Sequence, residues 1–166
     1  MPIDEEIHNF VKALGDDPDN VLMRVDLAGA YLKKDMADEA LSECKKALEL
    51  DPRNARAYNT LGVAYEKKDM MNEAVSAFRE AVAANPNFAV AYNNLGLAYL
   101  KQDLFYEAIS EFHTALEINP IYSEVQNNLA LVHHRLAIEH VNKAIELGFK
   151  VDSPLFKSKT ENPDKA

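Results

Sequence analysis

Apolar residues return along this chain with a period of 34 residues, and each copy of the pattern has the spacing of helices. In a unit with proline at position 32, apolar side chains occupy positions 4, 7, 11, 20, 24 and 27. The second unit supplies the set Tyr58, Leu61, Tyr65, Ala74, Phe78 and Ala81. Separations of three and four residues place side chains on one face of an α-helix. Each unit is therefore predicted to be a pair of helices.

Turn-forming residues recur with the same period. Each second helix is followed by a proline, which cannot continue it, as seen at Pro18, Pro52, Pro86 and Pro120. An aspartate stands between the two helices of each unit, at Asp35, Asp69 and Asp103. We expect its side-chain oxygen to cap the second helix. A fixed period of this length is typical of a repeat array.

The second and third units carry the pattern Tyr-x-x-Leu-Gly-x-x-Tyr, followed by Ala, Phe, Ala and Pro at fixed spacings. This pattern resembles the tetratricopeptide repeat family. The resemblance implies an all-α fold, a right-handed α-solenoid of antiparallel helix pairs. The first unit departs most, with Arg24 where an aromatic residue is usual and Cys44 where Phe or Tyr is usual.

We predict one solenoid domain over residues 1–150. Its parts are a helical half-repeat at 4–20, three full repeats at 21–54, 55–88 and 89–122, and an irregular fourth unit at 123–148. The half-repeat covers the open face of the first full repeat, as the ends of such arrays require. Residues 149–166 are predicted to form a polar, largely flexible tail, in which Leu155 and Phe156 can contact the last helix.

The fourth unit lacks the turn between its two helices, because residue 137 already matches position 20. Either the chain turns tightly near Leu136, or residues 123–147 form one long helix, since they contain no Gly or Pro. In one straight helix, Ile138, Val141 and Ile145 lie opposite the stripe that faces the solenoid. We hypothesise the long helix, with these three residues as an interface for a second copy or another protein.

The first helix of each unit carries a second stripe, at positions 2, 5, 6, 9, 12 and 13, which is predicted to line a concave groove. The candidate peptide-binding residues are Lys33, Arg56, Asn59, Val63, Lys67, Asn93, Asn94, Leu97, Lys101, Asn127, Asn128, Leu131 and Arg135. They include a row of asparagines, an apolar row and a basic row. Because the stripe has a net charge of +2, we expect an apolar or acidic peptide held by main-chain hydrogen bonds.

The family resemblance also suggests one ligand that these residues do not fit. Some members grip the carboxylate end of heat-shock chaperones with a clamp of Lys and Asn residues. The corresponding positions are Val25, Gly29, Thr60, Val90 and Asn94, and none carries the clamp residue. A chaperone-tail role is therefore not expected.

Charge and composition narrow the class further. The 166 residues carry a net charge of −9 without a basic block, so we expect no nucleic-acid partner. The acidic N-terminus is not a secretory signal, and no apolar run is long enough for insertion into a membrane. Cys44 is the only cysteine, which fits a reducing, cytoplasmic location.

Catalytic chemistry is not indicated. His133, His134 and His140 lack the spacing of four residues that suits a metal on a helix, so no metal or other cofactor is expected. Cys44 stands at a core position and is interpreted as an inert thiol. The leading hypothesis is a noncatalytic scaffold that binds a peptide or protein segment in the groove. The alternatives are a self-associating assembly protein, and an accessory or regulatory subunit of an enzyme or secretion complex.

Overall fold

The computed structural model describes residues 2–148, and every regular element in this part of the chain is an α-helix. The eight helices are α1 (Ile3–Asp16), α2 (Val21–Lys33), α3 (Ala37–Leu50), α4 (Ala55–Lys67), α5 (Met71–Ala84), α6 (Ala89–Lys101), α7 (Phe105–Ile118) and α8 (Ser123–Glu146). The predicted α-solenoid of helix pairs is confirmed. The predicted tail at 149–166, with its Leu155 and Phe156 contact, lies outside the described residues.

The helices pair in chain order. Helices α2 and α3, α4 and α5, and α6 and α7 form the three antiparallel pairs, while α1 packs on α2 and α8 packs on α7. The core is therefore a continuous series of layers between neighbouring pairs. Its largest fully buried side chains include Phe78, Phe112, Val125 and Val132.

The second helix of each repeat packs closely against a small residue of the first. A Cβ atom on Gly62 would lie 2.5 Å from the ring of Phe78, and one on Gly96 would lie 2.6 Å from the ring of Phe112. In the first repeat the same two positions hold Ala28 and Cys44, both fully buried. Compared with the second repeat, the first repeat thus has a larger residue on its first helix, Ala instead of Gly, and a smaller one on its second, Cys instead of Phe.

The turns between paired helices differ from the expectation. Asp35, Asp69 and Asp103 do not cap the second helices, whose N-cap positions are held by Met36, Met70 and Leu104 without a side-chain hydrogen bond. The three aspartates instead adopt left-handed backbone, with φ from 58° to 62°. A short polar side chain tolerates this conformation better than most. The aspartate therefore ends the first helix rather than starting the second.

The fourth unit has no such residue, and its helix does not turn. Helix α8 runs for 24 residues, from Ser123 to Glu146. Its first half packs on α7 and α6 through Val125 and Val132. The second half contacts the start of α7 as far as His140, whose Nε2 atom lies 3.4 Å from the Tyr106 hydroxyl, and its last residues extend past α7. The predicted long helix is thus present, because the fourth unit lacks the turn with the left-handed aspartate that follows α2, α4 and α6. Gly148, with φ of 84°, follows its end.

Candidate functional site

The first helices of successive repeats line one side of the solenoid. Helix α2 contacts α4, α4 contacts α6, and α6 contacts α8, whereas within residues 2–148 no contact joins α3 to α5 or α5 to α7. The first helices are therefore on the inner side of the curve. The predicted groove stripe lies on them.

The asparagines of this inner face bond to one another between repeats. The Asn94 side-chain nitrogen donates to the Asn59 side-chain oxygen at 2.8 Å. One repeat further, Asn128 donates to the oxygen of Asn93 at 2.9 Å, and Asn93 donates to Glu124 at 3.3 Å. Asn93 is only 1% exposed, so its amide joins α6 to α8 instead of facing the groove. Among the described residues, the amide nitrogen of Asn59 and the amide oxygens of Asn94 and Asn128 remain unpaired.

The predicted basic row is matched by carboxylates. Each cation of the stripe contacts an acid of the preceding unit, in the pairs Lys33–Glu6, Arg56–Asp26, Lys67–Asp35, Lys101–Glu66 and Arg135–Asp103. The hydrogen bond and charge of Lys67 lower the pKa of Asp35 below its ordinary value. Because the acids offset the cations, the groove has less positive charge to attract an acidic peptide than its sequence stripe indicates.

Apolar side chains of the inner face differ in how far they are exposed. Val63 and Leu97 pack partly into the core. Leu22 is 57% exposed, Val90 is 40% exposed and Leu131 is 49% exposed. The solvent-exposed apolar surface of the groove therefore comes from position 2 of two repeats and from α8. The other groove candidates, Asn127 among them, are half-buried or exposed.

The second half of α8 forms a cleft with the turn between α6 and α7. The cleft has a volume of about 630 Å³ and is lined by Asp103, Phe105, Arg135, Ile138, Glu139, Asn142, Lys143 and Glu146. The guanidinium carbon of Arg135 lies 5.7 Å from the centre of the Phe105 ring. Of the predicted interface residues, Ile138 and Val141 are half-buried and Ile145 is 56% exposed. Ile138 connects this interface to the cleft.

Some residues of the site carried no recognised signal in the sequence. The sequence predicts Asp35 and Asp103 only as caps, but they pair with Lys67 and Arg135. Glu124, which carries no prediction, accepts a hydrogen bond from Asn93. A usable signal existed in the spacing, because Asp35 and Asp103 each precede their cation by 32 residues, close to one repeat.

The ionisable groups give no sign of a metal site. Within residues 2–148, no group of three or more His, Cys, Asp or Glu side chains is placed to hold an ion. His133, His134 and His140 are all exposed. In the same part of the chain, no helix has the length and apolar character to cross a bilayer.

Burial raises the pKa of the Cys44 thiol to about 12, and the Glu43 carboxylate adds to the rise. The folded state disfavours the thiolate, so this stability is complete below the ordinary pKa of 9.0 and is lost as the pH rises toward 12. Between pH 8 and pH 10, we expect the native chain to lose about 1 kcal/mol more than Cys44→Ala. Urea unfolding at both pH values measures the difference. Equal losses in the two proteins would show that the thiol ionises freely.

The chain is similar to known proteins in sequence and in structure. Residues 16–158 match the family model of the tetratricopeptide repeat protein 21 C-terminal ARM domain. No curated protein sequence matches the chain. The crystal structure of MamA is similar, with a TM-score of 0.71 and 29% sequence identity over 87% of this chain and 87% of that chain.

Two structures of RPAP3 domains are also similar. The first tetratricopeptide domain of Spaghetti (RPAP3), bound to the HSP90 peptide SRMEEVD, has a TM-score of 0.68 and 27% identity over 70% of this chain and 95% of its own. The first such domain of human RPAP3 has a TM-score of 0.69 and 27% identity, over 72% of this chain and 94% of its own.

Proposed function

The chain belongs to the tetratricopeptide repeat family, as its match to the C-terminal ARM domain of tetratricopeptide repeat protein 21 shows, and we propose that it is a noncatalytic adaptor. Its inner groove binds an extended segment of another protein. Domains of this repeat type are generally interaction modules, and one similar domain is bound to a peptide. We propose a cytoplasmic location, because a chain with one buried cysteine fits a reducing compartment.

One observation carries the proposal: the inner face presents unpaired amide groups beside exposed apolar side chains. The free nitrogen of Asn59 and the free oxygen of Asn94 offer a donor and an acceptor to a peptide main chain. Leu22 and Val90 add apolar surface on the same side. This combination suits a segment in extended conformation with apolar side chains.

The charge pattern favours a neutral segment over an acidic one. The similar RPAP3 domain is bound to the peptide SRMEEVD, which carries three acidic residues. In this chain the five groove cations contact carboxylates, so an added acidic peptide competes with acids already in place. We therefore propose a ligand recognised by shape and main-chain hydrogen bonds.

Selection from a peptide library followed by fluorescence polarisation tests the groove. We expect Val90→Glu to weaken the selected peptide about tenfold or more, because a charge enters the apolar part of the groove. Val11→Glu is the matched control, since Val11 is 49% exposed on α1, outside the groove. Its affinity should stay within about twofold of the native value.

Two results contradict the groove as the binding site. In one, Val90→Glu binds the selected peptide as well as the native chain does. In the other, Val11→Glu weakens it equally, which places the binding surface elsewhere.

A second candidate is self-association through α8, favoured by one observation. Ile138, Val141 and Ile145 form an apolar row along the last part of α8, and Ile145 stays 56% exposed. An apolar row on a projecting helix is a usual site of protein contact. Self-association does not exclude peptide binding, because the interface residues on α8 are not among the groove residues. Leu131, a groove residue on α8, lies near both.

A further inference from the structure

The exposed side of α8 carries a regular seam. Its residues recur at alternating separations of three and four, in the order Leu131, His134, Ile138, Val141 and Ile145. Such spacing keeps one row of side chains facing a partner helix over several turns. The row begins in the groove, where Leu131 is 49% exposed, and ends at Ile145. It therefore extends beyond the part of α8 that the solenoid covers.

The solenoid uses a different side of the same helix. Val125 and Val132 are fully buried against α6 and α7, and Leu129 packs beside them. At 100° per residue, Val132 and Ile138 are separated by about 120° around the helix. Among residues 2–148, nothing packs over Ile145 to cover the far end of the seam.

Small residues flank the seam on one side and charges flank it on the other. The small residues are Ala130, Ala137 and Ala144, each seven residues from the next. Small side chains allow two helices to approach closely. The charged side carries Arg135 near the solenoid, and Glu139 and Glu146 toward the free end, whereas Lys143 lies about 160° from the centre of the seam. This side is therefore basic near the solenoid and acidic toward the free end.

We propose that the partner of this seam is α8 of a second copy of the chain, running antiparallel, with Ile138 opposite Val141 of the other copy. This inference rests on the self-association candidate above and adds its orientation and register. In that register Arg135 comes level with Ala144 of the second copy, two residues from Glu146, and this pair of opposite charges occurs twice. Opposite charges then meet on both sides of the two-fold axis.

A parallel pair does not fit as well. The solenoid body is attached to the first half of α8, so parallel helices bring both bodies to the same end. In parallel alignment the charged side of each helix also faces the alanine side of the other, so the opposite charges do not meet. The antiparallel pair places the bodies at opposite ends and brings the two charged sides together.

The size of the seam predicts a reversible dimer. Residues 131–145 extend over about 22 Å of helix, and a helix is about 10 Å wide. Such a strip is smaller than the roughly 1,200 Å² that stable interfaces bury in total. We therefore expect monomer and dimer to exchange with concentration.

Sedimentation velocity over a concentration series of the full chain tests the dimer. We expect Ile138→Glu to raise the dimer dissociation constant about tenfold or more, because the charge lies at the centre of the seam. Leu147→Glu is the matched control. Leu147 is apolar and 65% exposed, and it directly follows α8. It is two residues after Ile145, which places it about 160° away around the helix axis. Its dissociation constant should stay within about twofold.

Disulfide trapping tests the orientation in a Cys44→Ala background. Chains carrying His134→Cys are mixed with chains carrying Ile145→Cys. The antiparallel register predicts mixed dimers linking the two kinds of chain, with little linkage in either protein alone. This readout does not depend on how well the Ile138→Glu chain folds.

Three results overturn the proposal: a monomer at all concentrations, a dimer that Ile138→Glu leaves unchanged, or efficient linkage of each cysteine to its own copy. The first also removes the self-association candidate, while the other two remove only the seam or its orientation. Peptide binding to Val90→Glu is measured separately, so the groove proposal stands or fails by itself.

Discussion

Replacing Gly62 by alanine is expected to destabilise the fold by about 1–3 kcal/mol, although alanine is the better helix former. The new Cβ atom would lie 2.5–2.9 Å from three carbons of the Phe78 ring, which is fully buried and cannot move aside. The loss from this overlap exceeds the gain of about 1 kcal/mol in helix propensity. Urea unfolding monitored by circular dichroism measures the change.

Gly29→Ala is the control: Gly29 lies on the first helix of the first repeat, one position after the residue that corresponds to Gly62. No atom lies within 4 Å of a Cβ built on Gly29, so only the propensity gain remains. We expect this variant to be more stable by about 0.5–1 kcal/mol. If both glycine variants are stabilised to the same extent, the contact of Gly62 with Phe78 does not limit the packing.

A double variant tests whether the two positions are coupled. Gly62→Ala combined with Phe78→Cys recreates the Ala28 and Cys44 pair of the first repeat. The smaller residue on α5 makes room for the larger one on α4. The double variant should therefore cost at least about 1 kcal/mol less than the sum of the two single changes. If the two changes in the free energy of unfolding are strictly additive, the sizes of the two residues are not coupled.

Val132→Asp is expected to have a larger effect, at least about 3 kcal/mol, but confined to one end of the molecule. Val132 is fully buried between α8 and the α6–α7 pair, so the carboxylate loses water and gains no partner. Among the described helices, α8 contacts only α6 and α7. Repeat arrays are stabilised by neighbour contacts, so α8 should detach while distant repeats stay folded.

Hydrogen exchange measures this prediction along the chain. Amides of α8 should exchange much faster in Val132→Asp, whereas those of α2 to α5 should keep their protection. His133→Asp is the control, because His133 is the next residue and is exposed. A uniform loss of protection in all helices would show instead that the array unfolds as a single unit.

The sequence predicted the helices well because the period and the core positions are determined by local spacing. Tyr58, Leu61 and Tyr65 occupy one face by helix geometry alone, and the structure places them on the first helix of the second repeat. The length of α8 was also predictable, since a missing segment leaves nothing to break the helix. These features depend on residues close together in the chain.

Contacts between repeats were harder to predict. Asp35 has two possible uses in a turn, as an N-cap of the second helix or as a left-handed residue after the first. Aspartate suits both, so residue type alone does not decide between them. The helical angle of Asn93 predicts a groove residue. Its burial follows from Asn128 and Glu124, which lie more than 30 residues away in sequence.

The ion pairs between successive units have a mechanical consequence for the solenoid. Four of them, Arg56–Asp26, Lys67–Asp35, Lys101–Glu66 and Arg135–Asp103, join the inner helices or the turns at their ends. No contact joins α3 to α5 or α5 to α7 in the described chain. The inner side is therefore held partly by ion pairs between successive repeats, whereas the outer side lacks direct contacts between successive second helices. Each exposed pair contributes little, on the order of 0–1 kcal/mol, and salt screens it. We therefore expect a change in ionic strength to alter the curvature of the array while the packing within each repeat stays constant.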